Sequence, residues 1–254
     1  NFLIVLSSVA VILAFLFCGF FTVKAGKATT AHAKSLSGLL MYVCGPAMMI
    51  SSFLSVEFTA ETIKSIGIFF VATLVLQLVY FLTLFLILKK KYDDAKYRIL
   101  TVGSFMGNVG FFGMPLVTAL FPDKPIVACF SCANMLSMNI LVYTVGSYLI
   151  TNDKKFVSVK NVFLNPTSIA LYVALPFYFT NCAIPSVIMD AVSLLGKMTT
   201  PLCMIVLGMR LAAIKPKSLV TEPFAFIACA MKLIVYPLFC FLAVRFLPFL
   251  DSVT

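Results

Sequence analysis

The densest chemical signal in this 254-residue chain is the string Gly107-Asn108-Val109-Gly110-Phe111-Phe112-Gly113-Met114-Pro115. Pro115 has no N–H to give the carbonyl of Phe111, and its ring crowds that carbonyl. Gly107, Gly110 and Gly113 lower the cost of leaving helical geometry. The string therefore predicts a helix broken at Pro115. Carbonyls freed at such a break can hold a cation or a proton donor, and the half-helix that begins at the proline offers N–H groups and partial positive charge to an anion. Asn108 adds both a donor and an acceptor. A packing kink, with small residues for close helix contact, is the competing explanation.

Other polar residues fall inside apolar stretches. Asn139 and Tyr143 are four residues apart and share one helical face, with Asn134 a little more than one turn earlier. Hydrogen bonding between helices accounts for them as well as solute binding does. Lys197 lies roughly ten residues into a span, about 15 Å deep at 1.5 Å per residue. A lysine near the midplane is costly and is a candidate partner for an anion or a switchable proton, with snorkelling as the alternative. Lys232 is nearer the end of its helix, where snorkelling is favoured. Glu57, Glu61, Asp123, Asp190 and Asp251 all fall near the ends of apolar runs, which leaves no carboxylate for a sodium or proton site in the interior.

The eight cysteines sit almost entirely within apolar runs, where they act as small apolar residues. Cys129 and Cys132 have redox or metal spacing but no second pair or matching histidine, so packing is the expected role. The single histidine, His32, lies in a basic connection and is expected to be solvated. No nucleophile elbow, phosphate-binding loop or zinc signature is present, so neither an enzyme, a cofactor nor a metal site is expected.

The elements that must position these residues follow from composition. Hydrophobic residues make up 62% of the chain and charged ones 11%, with a mean hydropathy of +1.09. A soluble domain carries roughly 25% charged residues. Runs of about 20 apolar residues recur too often for a signal peptide or one anchor. Eight helical spans are expected, at about 2–22, 37–56, 66–88, 97–120, 126–151, 166–183, 187–209 and 224–247. A β-barrel is excluded by stretches such as Phe69 to Leu88, apolar on every face and too long for alternation.

The net charge of +10 raises the question of nucleic acid, and the placement of the charges answers it. Lys24, Lys27 and Lys34 lie in the first connection, Lys89, Lys90, Lys91, Lys96 and Arg98 in the third, Lys154, Lys155 and Lys160 in the fifth, and Arg210, Lys215 and Lys217 in the seventh. The even connections hold only Lys64 and Lys124. The positive-inside rule then places the odd connections in the cytoplasm and the N-terminus outside, in the plasma (cell inner) membrane.

Sliding the chain against itself by 155 residues lays Leu39-Leu40 on Leu194-Leu195, Pro46 on Pro201, Met49-Ile50 on Met204-Ile205, and Gln77 on Lys232. Because the offset moves each span by five, the two copies enter the membrane from opposite sides, as inverted repeats of secondary carriers do. Residues 1–151 are read as a first five-helix repeat and 152–254 as an incomplete second one of three helices. Pro46, Pro201 and Gly107 are read as hinges. The partner of the fourth span would begin near position 252, so the chain is expected to be a fragment lacking two spans.

With these features in place, the chain resembles the auxin efflux carrier family, which includes bacterial malonate-type permeases and plant PIN-type exporters. The resemblance rests on Cys18-Gly19-Phe20-Phe21, Gly45-Pro46-Ala47-Met48-Met49, the string from Gly107 to Pro115, Asn139 to Tyr143, Asn165-Pro166, Pro201-Leu202 and Leu207-Gly208-Met209. It implies an all-α integral membrane fold of ten spans in two inverted repeats, with the fourth and ninth helices broken and crossing at the substrate site. It also implies a scaffold that includes the second and seventh helices, a mobile transport domain, and carriage of small organic anions. Asn108, Gly110, Gly113, Pro115, Asn139 and Tyr143 would contact substrate. Lys197 is added to that set on depth and charge alone.

The expected partners are a small organic anion, the lipid bilayer and, as an option the sequence leaves open, a second copy in a homodimer, but no nucleic acid. A secondary carrier for a carboxylate is the leading reading. The alternatives are a sensor or scaffold that binds without transporting, and a bile-acid-type sodium symporter.

Overall fold

A computed structural model of the chain describes residues 2–182, 184–214 and 222–246. Lys215, Lys217 and Asp251 lie outside the described residues. Every regular element among the described residues is helical. Seven helices are long and apolar enough to cross a bilayer: α1 (Phe2–Lys24), α2 (Thr30–Leu54), α3 (Ala60–Lys91), α6 (Ile126–Thr151), α7 (Lys154–Thr180), α8 (Ser186–Leu211) and α9 (Pro223–Phe246). The fourth span is not one helix but two, α4 (Ala95–Gly103) and α5 (Val109–Leu120), with Met106, Gly107 and Asn108 outside helical geometry. An all-α integral membrane protein is the result. Exposed apolar side chains such as Val71, Val75, Leu82 and Leu86 along α3 are what lipid-facing surface requires.

The break differs from expectation in position. Helix ends at Gly103, six residues upstream of the restart at Val109, and Pro115 lies inside the second piece rather than opening it. The reason is a wide turn. Residues Val109–Gly113 form a π-turn and Pro115 is the second residue of the α-helix that follows. Leu40–Cys44 stands in the same register before Pro46, and Met231–Val235 before Pro237. In a π-turn the N–H reaches back five residues, as Gly45 N–H does to the carbonyl of Leu40. The shifted ladder moves the carbonyl that a proline ring would strike, so the helix bends instead of stopping. Pro201 is handled differently: the α-helical segments Ser186–Lys197 and Thr199–Leu211 are interrupted at Met198, three residues before it.

The chain divides into two compact units. The first comprises Asn1–Thr62, Val109–Cys132 and Leu164–Ser218. Within it, α1 packs along the Thr199–Leu211 half of α8, and the Gly45–Leu54 half of α2 packs on both Pro166–Thr180 and Ser186–Lys197. The α1–α8 seam is a backbone contact. A Cβ on Gly19 would overlap the carbonyl of Ile205, and one on Gly208 would overlap the carbonyl of Leu16. These are the glycines of two family motifs, and they meet because only hydrogen side chains allow helices so close. Asn165 accepts the N–H of Ser168 and Pro166 follows it, so the Asn-Pro pair caps the apolar part of α7.

The second unit comprises Ile63–Asn108, Ala133–Phe163 and Leu219–Thr254. Its core gathers Tyr80, Phe81 and Leu84 of α3 with Val102, Phe105, Leu141 and Leu149. Tyr97 meets Phe224 edge-on at 5.2 Å, and Tyr80 meets Tyr236 at 4.9 Å. The α4 helix starts at Asp94, whose carboxylate accepts the N–H of Lys96.

Candidate functional site

Of the residues expected at the site, Gly110, Gly113, Pro115 and Lys197, with the hinges Pro46 and Pro201, belong to the first unit. Gly107, Asn108, Asn139 and Tyr143 belong to the second. Each unit carries its own polar cluster.

In the first unit Pro115 and Lys197 line one cavity of about 360 Å³. Lys197 is the eleventh residue past Ser186, about 16 Å along a helix at 1.5 Å per residue. It is exposed to the cavity, and no described carboxylate forms an ion pair with it. Among the described residues it is the only charged one in the lining. The walls are Met48, Met114, Pro115 and Ala128, with a belt of hydroxyls between them. Gly196 makes room: a Cβ there would stand 3.0 Å from both Met48 Cα and Ser51 Oγ.

The carbonyl of Phe111, which Pro115 cannot serve, does not face the cavity bare. Thr200 Oγ1 donates to it at 2.8 Å. One helix thus supplies the hydrogen bond that the proline of another withholds, and it holds α5 against α8 beside Lys197. Thr200 and the serines Ser51 and Ser52 were not singled out in the sequence. Their signal is weak but real: Ser51 and Ser55 lie one turn apart on the face that continues from Met48, and Thr200 immediately precedes a mid-span proline.

In the second unit Gln77, 2% exposed, donates through Nε2 to Asn134 Oδ1 at 2.7 Å and to Ser137 Oγ at 3.2 Å. Thr73 Oγ1 lies 3.3 Å from the same serine. Asn134 is therefore a helix-to-helix partner. Asn139 and Tyr143 are half-buried further along α6, Tyr143 opening the π-turn Val142–Gly146 as its second residue. Asn108 is exposed at the end of the non-helical stretch.

Cys129 and Cys132 are fully buried; Cys129 Sγ donates to the carbonyl of Ser52 at 3.3 Å, which fits a packing role. Among the described residues no group of three or more His, Cys, Asp or Glu could hold a metal. His32 is exposed and its Nδ1 accepts the N–H of Thr29 at 3.1 Å, so it caps α2.

Comparison with known proteins agrees with this architecture. The model of a family described as membrane transport protein matches residues 4–162 and again 151–250. An uncharacterised transporter of Methanocaldococcus jannaschii is 27% identical over 237 residues, which is 90% of this chain and 75% of that protein. With two matches that together run nearly end to end, the chain belongs to the membrane transport protein family, the group of the auxin efflux carriers.

Proposed function

We propose that this chain acts as a secondary carrier that moves a small organic anion such as a carboxylate, held near the midplane against Pro115 with Lys197 as its counter-ion. The single observation behind this reading is the unpaired lysine deep in α8 that shares a cavity with the proline of the interrupted fourth span. An anion bound beside this ammonium gains Coulomb energy to the extent that the surrounding bilayer keeps the local dielectric low. The cavity has room for a ligand of several carbons.

The repeat reading has support from the helix ends. Shifted by 155 residues, α2 (Thr30–Leu54) lands on 185–209, against Ser186–Leu211 for α8. The compact units gather residues of both halves, as an inverted pair of repeats, 1–151 and 152–254, would allow. The charge asymmetry of the connections supports an N-terminus outside the cell membrane. Asn108, Asn139 and Tyr143 enter the proposal as separate polar candidates of the second unit, each to be tested by its own alanine substitution.

Solute counterflow in proteoliposomes tests the reading. Labelled carboxylate is expected to accumulate transiently in vesicles preloaded with unlabelled carboxylate and containing the full-length protein, but not in protein-free vesicles. Saturable binding without counterflow under any imposed gradient would replace the carrier with a sensor of the same fold.

A further inference from the structure

Lys197 does not stand alone on its wall of the cavity. Ser193, half-buried, lines the same cavity one turn earlier on the Ser186–Lys197 segment of α8. Residues four apart on a helix are surface neighbours, with Cβ atoms about 5–6 Å apart. Helical side chains lean toward the N-terminal end of their helix, which carries the stem of Lys197 over the turn that holds Ser193.

The hydroxyls of the lining divide by what they donate to. A serine or threonine in a helix commonly bonds back to a carbonyl three or four residues earlier. Ser51, Ser52, Ser55 and Thr118 do so, at 2.8 to 3.0 Å, and Thr200 donates across to Phe111 O. Ser193 does neither: among the described residues its hydroxyl has no acceptor. The back-bonded hydroxyls can swing away at modest cost, because the helix ladder serves the same carbonyls, but none of them neighbours Lys197 on its own helix. Ser193 has nothing to give up.

A carboxylate accepts on two oxygens. An ammonium beside one of them leaves the other in want of a donor, and a hydroxyl that donates to a charged oxygen makes a stronger bond than one between neutral groups. We infer that Ser193 is the second anchor of the anion, its Oγ–H donating to the carboxylate while Lys197 supplies the opposite charge. The inference rests on the carrier reading of the same cavity and adds to it a residue that touches the ligand.

Calorimetric binding of hexanoate and of succinate to the full-length protein in detergent, with thermal unfolding alongside, tests it. The tighter of the two acids is compared between wild type, Ser193→Ala, Ser193→Thr and Lys197→Gln. Ser193→Ala is expected to weaken binding about tenfold and to leave the unfolding temperature unchanged, since the serine has no bond within the protein to lose. Ser193→Thr, which keeps the donor, should recover most of the affinity, and Lys197→Gln should lose at least tenfold. Wild-type affinity in Ser193→Ala, or a lowered unfolding temperature with affinity intact, overturns the role of Ser193 while a loss in Lys197→Gln keeps the anion site. Equal binding in wild type and a folded Lys197→Gln, or no binding of either acid, overturns the inference together with the site.

Discussion

The two units differ in what their polar residues join. In the second, Gln77 donates across from α3 to Asn134 and Ser137 of α6, while Ser137 and Thr73 also bond back to carbonyls of their own helices. In the first, hydroxyls bond back to the backbone and a lysine is left facing open space. A polar residue within the membrane is thus not a binding site by its presence. The cluster around Gln77 ties α3 to α6, whereas the cavity of the first unit keeps a lysine without an ion-pair partner among the described residues.

The comparison breaks most completely where the first unit loses its seam. Gly208→Val puts branched carbon into the Leu16 carbonyl, with α1 unable to move away without losing its contact along α8. The expected outcome is loss of monodisperse protein on size exclusion. Gly38→Ala, where a Cβ meets nothing within 4 Å, should express normally.

Thr200→Val separates the roles around the Lys197 cavity. Removing the hydroxyl deletes its hydrogen bond to the Phe111 carbonyl, a loss of about 1 kcal/mol. It should also weaken anion binding severalfold, because α5 and Pro115 are no longer pinned beside Lys197. Thr200→Ser, which keeps the donor, should restore both. Thermal unfolding and calorimetric binding read the two effects.

Gln77→Leu sharpens the contrast from the other side. It deprives Asn134 and Ser137 of a shared donor and should cost about 1–2 kcal/mol of stability. Anion affinity should be unchanged. A large loss of binding in a folded Gln77→Leu protein would mean that the Gln77 cluster is more than a tie between helices.

The smallest effect is expected at Lys232, an exposed residue of the π-turn Met231–Val235 within α9 that does not line the Lys197 cavity. Lys232→Gln should leave both stability and anion affinity within about twofold of wild type, since its long side chain lets the ammonium reach water from an exposed position.

Much of the fold was legible in the sequence, because lipid imposes one rule on every span: apolar side chains outside and backbone bonds satisfied within. The helix start at Asn165-Pro166 was among the motifs of the resemblance, and Pro115 and Lys197, singled out separately in the sequence, line one cavity, their role there being the proposal. The exact place of the break did not. A proline forbids one carbonyl contact, but a π-turn before it can carry the chain past, and nothing in the residue types of 109–113 announces that turn. Nor did the sequence disclose that Gly19 lies against the Ile205 carbonyl and Gly208 against the Leu16 carbonyl, since segments so far apart in the chain meet only in the packed unit. Thr200 and Ser51 escaped notice because a hydroxyl on a helix usually bonds back to its own turn. Which of them line a cavity depends on the neighbouring helices.

The central claim is that the transported anion sits against Lys197. Counterflow of a labelled monocarboxylate into proteoliposomes, compared between the full-length wild type and Lys197→Gln at equal reconstituted protein, tests it most directly. The account predicts a reduction of at least tenfold in the initial rate, with Lys197→Arg retaining a measurable part of it. Equal rates in wild type and Lys197→Gln would contradict the assignment of this cavity as the substrate site.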